Sequence, residues 1–118
     1  SSFALKVMED AGRLALLREP RVDFIDDGPG KPIGIARHIG QRPIAAFGNS
    51  DGDFEMLRYT TEGAGRRFGM IIRHDDAERE FAYDRESHIG RLARALDQAP
   101  ARGWQVASMR EDWGRVFA

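Results

Sequence analysis

The chain has 118 residues, 31% charged and 42% hydrophobic, with a formal net charge of -1. That is a globular composition sized for one domain with a small core, and it excludes a disordered or fibrous chain. There is no clustered basic excess of the kind nucleic-acid or membrane-surface partners require, no apolar run nears the ~20 residues of a membrane span, and no cysteine for a disulfide, thiolate metal site or thiol nucleophile.

The opening SSFALKVMED lacks a basic region followed by an apolar stretch, so it does not read as a signal peptide. It enters an alternating pattern at once from Ser1. The expectation is a piece cut from a longer polypeptide, with its compartment left open. Phe3, Leu5 and Val7 alternate with smaller or polar residues, the period of a half-buried strand. Glu9 to Gly12 is turn material and Leu14 to Leu17 a second apolar run, which together predict a β-hairpin ended by Pro20. Val22, Phe24 and Ile25 predict a third short strand. A soft boundary falls near Asp26–Gly30, dividing residues 1–26 from an α/β region over 27–118.

Asp26-Asp27-Gly28-Pro29-Gly30 is a loop signal. A helix follows, with Pro32 in its first turn, where a missing N–H is no loss, and Gly40 as its stop. Pro43 to Phe47 is a continuous apolar run, which predicts a strand covered on both faces. The loop GNSDGD comes next, then a helix through Phe54, Met56, Leu57 and Tyr59 that Gly63 breaks. Phe68 to Ile72 is a second continuous run. A short helix is expected over Asp76 to Tyr83, a clearer one through Ile89, Leu92, Ala93 and Leu96, a strand at Trp104 to Ala107, and a last short helix at Trp113, Val116 and Phe117. Trp104 and Trp113 read as packing residues. Helix and strand alternate with short connections, the pattern of an open parallel sheet.

Two stretches carry the chemistry. Gly48-Asn49-Ser50-Asp51-Gly52-Asp53 follows an apolar strand, and ligands of open α/β sheets sit beyond the carboxyl ends of strands. Its carboxylates, carboxamide and hydroxyl are hard oxygen donors suited to Mg²⁺. The same residues also make an ordinary turn, with Asp51 or Asp53 capping the next helix. Lys31, opening a helix after Gly30, is placed to lean toward an anion, although a solvated loop lysine reads equally well and the spacing is not that of a P-loop. His38, His74 and His88 are too scattered for a zinc site, His74 alone standing at a strand end. Asn49, Asp51 and Asp53 lack the glycine of a calcium loop, and the arginines form no stripe.

Taken together, GKPIGIARHIGQRPIAAFGNSDGDFEML resembles the C-terminal part of a phosphatase of the haloacid dehalogenase superfamily, near its phosphoserine-phosphatase-like branch. Such proteins place a lysine before a helix, then an apolar strand, then a loop of form G-D-x-x-x-D. Lys31, Gly48 and Asp53 fall on that pattern, while Asn49 stands where the first aspartate is usual. The resemblance covers roughly residues 28 to 72. It implies a partial doubly wound, Rossmann-like parallel sheet preceded by the hairpin, and a Mg²⁺-dependent hydrolase acting on a small phosphorylated substrate through an aspartyl-phosphate. It implies that Lys31 steadies nucleophile and phosphate, that Asn49 and Asp53 hold the metal directly or through water, with Asp51 a substitute for the missing charge, and that Gly48 and Ser50 lie against the substrate. The D-x-D-x-[T/V] nucleophile motif is absent, so the reaction requires the N-terminal half as partner and this chain alone is expected to be inactive. Exposed edges of a half-sheet predict self-association into a homo-oligomer. The rival reading is a non-catalytic α/β module that binds a metal or a protein.

Overall fold

The computed structural model describes residues 1–82 and 91–115. The chain begins with a long hairpin of β1 (Ser2–Asp10) and β2 (Arg13–Phe24). Ala11 and Gly12 turn it, with φ of 50° and 78°, the left-handed pair that matches the twist of two antiparallel strands. The expected stop at Pro20 does not occur, and the expected third strand is the far end of β2. The register explains this. Leu5 faces Arg18 and Phe3 faces Val22, so Glu19, Pro20 and Arg21 stand opposite Ala4 alone. Pro20 has no N–H to give a ladder, and a bulge is a place where none is asked for.

Cross-strand partners share a face, so Phe3, Leu5, Val7, Leu14, Leu16 and Val22 form one apolar side. The half-burial expected of this pattern is not what the structure has: all six are at least half exposed, Leu14 at 80%. The hairpin projects, which gives the molecule extents of 60 × 37 × 28 Å and a radius of gyration of 18.5 Å, against about 13–14 Å for a compact chain of this length.

From residue 30 the chain alternates helix and strand: α1 (Gly30–His38), β3 (Ala45–Gly48), α2 (Phe54–Thr61), β4 (Phe68–Arg73), α3 (Arg94–Arg102) and β5 (Gln105–Ser108). The three strands pair in parallel in the order β3-β4-β5. This is a mixed α/β fold with an antiparallel hairpin and a parallel sheet, compatible with part of a Rossmann-like architecture. Pro32 lies in the first turn of α1, and Gly40, at φ 75°, lies just past its end. The helix expected over Asp76 to Tyr83 is instead a turn as far as Glu80. There the Asp76 carboxylate accepts from the backbone of Glu78 and Arg79, a local bond that competes with helix. Phe81 and Ala82 continue without regular structure, and Tyr83, His88, Ile89, Val116 and Phe117 lie outside the described residues. Trp113 is not in a helix and is half exposed.

The core lies between the sheet and α2 and α3. Ala46 and Ile71 point from the sheet into Phe54, Leu57, Leu92, Ala95, Ala99 and Trp104. Trp104 is buried edge-on against Phe54, with ring centroids 5.5 Å apart, and its indole N–H donates to Thr61 Oγ1 at 2.9 Å. The opposite face of the sheet carries Phe47 and Phe68, paired at 5.7 Å and exposed. So the continuous run Pro43–Phe47 is not covered on both faces: along β3, exposed and buried residues alternate. Among the described residues only one face has helices upon it. Leu57 has no exposed surface. Leu57→Ala is expected to cost about 2–5 kcal/mol, read as a lower urea midpoint with an unchanged m-value.

Candidate functional site

The loop after β3 is built around one carboxylate. Asp53 is 5% exposed. Its Oδ1 accepts from Lys31 Nζ at 2.5 Å. Its Oδ2 accepts from the backbone N–H of Asn49 at 3.0 Å and of Ser50 at 3.3 Å. Ser50 and Asp53 form a capping box over the short 3-10 turn Asp51–Asp53 that leads into α2, which satisfies amides a helix start leaves open. Gly48 and Gly52 are required by closeness: a Cβ on Gly48 would lie 2.6 Å from Asp53 Cβ, and one on Gly52 2.5 Å from Asp27 Oδ1.

Lys31 reaches Asp53 from the start of α1. The two loops are also stitched by Gly28 N–H donating to Gly52 O at 3.1 Å. The hydrogen bond to Asp53 raises the Lys31 pKa above the ordinary 10.5; partial burial opposes it, and the charges of Asp53, Asp26 and Asp27 add to it. Lys31 keeps 28% of its side chain exposed, and an ammonium has three donors, so it can meet an anion from solvent while holding Asp53. Three carboxylates against one ammonium leave this corner negative. A bare phosphate would be repelled, and a divalent cation arriving with it would offset the excess.

Lys31, Gly48, Asn49, Ser50 and Asp53 are thus brought together. Asp51 is not with them. Its carboxylate accepts from the N–H groups of Ala93, Arg94 and Ala95, at the start of α3, and so is not placed to substitute for a charge missing at Asn49. His74 also stands apart: its Nδ1 pairs with Glu80 Oε1 at 3.0 Å, at the end of β4. Nearby Asp75 is pushed up by burial, but hydrogen bonds from Ser108 Oγ and the Arg110 N–H outweigh that and hold it below the ordinary carboxylate range. The Arg79 side-chain hydrogen bond holds Asp76 low in the same way, while Arg79 also donates to the carbonyls of Met109, Arg110 and Trp113. These groups satisfy each other and tie down the segment after β5. Asp26 and Asp27 beside Lys31 were readable only as loop residues, because only the fold brings them to the lysine.

Among the described residues no three His, Asp or Glu side chains converge as a metal cage. A cavity of about 360 Å³ opens beside Lys31, between the hairpin base, α1 and α2, lined by Phe24, Ile35, Ile39 and Met56 with Asp26 and His38. Compared with known proteins, the chain matches no family model and no curated sequence.

A pair whose cation has a raised pKa stabilises fully below the unfolded value of 10.5, and loses that contribution as pH rises through the higher folded value. The unfolding free-energy gap between wild type and Lys31→Met should therefore be level from pH 7 to 9.5 and shrink above 10.5. A gap unaffected by pH up to 12 would refute the pairing.

Proposed function

We propose that this chain supplies the lysine-and-loop corner of a Mg²⁺-dependent phosphatase of the haloacid dehalogenase type, acting on a small phosphate monoester through an aspartyl-phosphate whose nucleophile lies outside it. The observation that carries this is the Lys31–Asp53 pair, buried on the acid side and partly open on the lysine side, beyond the carboxyl end of a parallel strand. Three further features support it. β3 is an edge strand among the described residues, and a further parallel strand paired there would end next to Lys31. One face of the sheet carries exposed Phe47 and Phe68, as expected of a sheet missing part of its cover. The cavity beside Lys31 is of a size for the organic part of a small ester.

In this reading the carboxylate of the outside segment attacks phosphorus, the P–O bond to the alcohol breaks, and water then cleaves the acyl phosphate. Lys31, steadied by Asp53, holds positive charge beside the transferring group and the attacking carboxylate, the fixed-charge stabilisation on which phosphoryl transfer relies. Gly48 lets the loop close on Asp53, and it and Ser50 would lie alongside the substrate. The donor set fits Mg²⁺ only in part. Asn49 and Asp53 offer oxygen, yet Asp53 is already neutralised by Lys31, so the main metal charge has to come from the outside segment. When bound, Mg²⁺ would neutralise phosphate oxygens.

The same saturation of Asp53 by three donors favours the second reading, a non-catalytic module in which Lys31 and Asp53 only staple two loops. Hydrolysis of p-nitrophenyl phosphate with Mg²⁺ separates them. The full-length protein should be active, and Lys31→Ala and Asp53→Ala should each lower kcat/KM about 10²-fold or more. Variants as active as wild type would sink the assigned roles, and an inactive full-length protein would favour the second reading. The chain by itself should instead cover its apolar hairpin and sheet faces by self-association, giving a light-scattering mass above 13.3 kDa. A monodisperse monomer at high concentration would contradict that.

A further inference from the structure

Asp51 is the one carboxylate of the site loop that turns away from Lys31, and it is used heavily. Its Oδ1 accepts from the N–H of Ala95 at 2.9 Å, and its Oδ2 from the N–H of Ala93 and of Arg94 at 3.2 Å each. Its own N–H donates to Arg91 O at 2.7 Å. The residue at the N-cap position of α3 is Ala93, which has no side chain able to cap. A carboxylate more than 40 residues earlier in the chain therefore fills the first-turn donors of α3, at the end where the helix dipole favours negative charge.

The first turn of α3 grips the loop a second time, beyond Asp53. Arg94 Nη1 donates to Glu55 Oε1 at 3.2 Å, and its guanidinium lies 3.8 Å from the Phe54 ring centroid. Asp53 thus sits between two attachments to one helix turn. On its other side, Gly52 O accepts from the Gly28 N–H, and Asp53 itself holds Lys31. Asp27 packs close on Gly52, where an added Cβ would meet its Oδ1 at 2.5 Å. Contacts run without a gap from α3, through Asp51, to the lysine loop.

We propose that Asp51 is a positioning residue: by capping α3 it fixes the loop so that the Asn49 and Ser50 amides and the Lys31 ammonium converge on Asp53. The catalytic consequence rests on the phosphatase reading, but the geometric one does not. Residue-resolved amide exchange on the full chain tests it, with Asp51→Ala and Asp51→Asn. Asp51→Ala should speed exchange about tenfold or more at Ala93, Arg94 and Ala95 and also at Asn49 and Ser50. Asp51→Asn, which keeps one acceptor oxygen, should restore part of the protection at both places and keeps the test available if the alanine variant does not fold. Loosening confined to residues 93–95, with wild-type protection at Asn49 and Ser50, would overturn the proposal and leave a plain helix cap. In the full-length protein, Asp51→Asn should lower kcat for p-nitrophenyl phosphate with little change in KM. A raised KM with kcat intact would also overturn it. A wild type without hydrolysis would remove the phosphatase reading while the exchange result still decides the role of Asp51.

Discussion

A carboxylate withdrawn from water has to be paired and hydrogen-bonded or it costs several kcal/mol, and Asp53 makes that demand at the centre of this fold. It is met from three directions: an ammonium from α1, and the amides of Asn49 and Ser50 from its own loop. Each donor belongs to a stretch that has to be placed. Lys31 reaches only because the Gly28 and Gly52 backbones join the two loops. The amides face Asp53 only because Gly48 leaves room for its Cβ. α1 has few other reasons to lie where it does, since it is short and only Gly34 of its residues is buried. The ion pair and the loop stitch hold it beside α2.

The same economy explains the loop after β4. Asp75 and Asp76 stand at a strand end, as Asp51 and Asp53 do, yet their hydrogen bonds cap or clamp residues 78–110. Two acidic clusters at neighbouring strand ends therefore do different work. One is closed by Arg79 and Ser108. The other includes a lysine that still touches solvent. The difference lies in which cation arrives: Arg79 is committed to Asp76 and to three backbone carbonyls, while Lys31 keeps 28% of its side chain in solvent.

Much of the α/β order was legible because its signals are local. Pro32 and Gly40 bracket α1, and the apolar runs at Pro43–Phe47 and Phe68–Ile72 become β3 and β4. The Ser50–Asp53 capping box is local too, and the sequence showed acids able to cap there. What was not legible depends on partners far along the chain. Nothing near Asp51 announces that it serves α3, and nothing near Asp26 that it charges the surroundings of Lys31. Pro20 misled because a proline halts a regular ladder but not a bulged one. The burial of β3 misled because a continuous apolar run states what a strand could bury, not whether a second layer of helices is there to bury it.

That last point bears on the hairpin. Alternation in β1 and β2 is strong enough to set a register, yet its apolar side faces solvent along its whole length. Two strands alone bury too little to be stable in water, and only the base is anchored, where Ala4 is buried, the Asp26 N–H donates to Ser1 Oγ at 3.1 Å and Arg37 lies over Phe24 at 5.3 Å. Phe3, Leu5, Val7, Leu14, Leu16 and Val22 all stand on that side, an exposed apolar surface of the kind that marks an interaction face. The exposed half of the parallel sheet is another such surface at β3. Both surfaces lie next to elements that hold Lys31, the hairpin through Phe24 and α1, the sheet through β3 and the Asp53 loop. A partner seated on either surface would therefore bear on the same few residues that hold the Lys31–Asp53 pair.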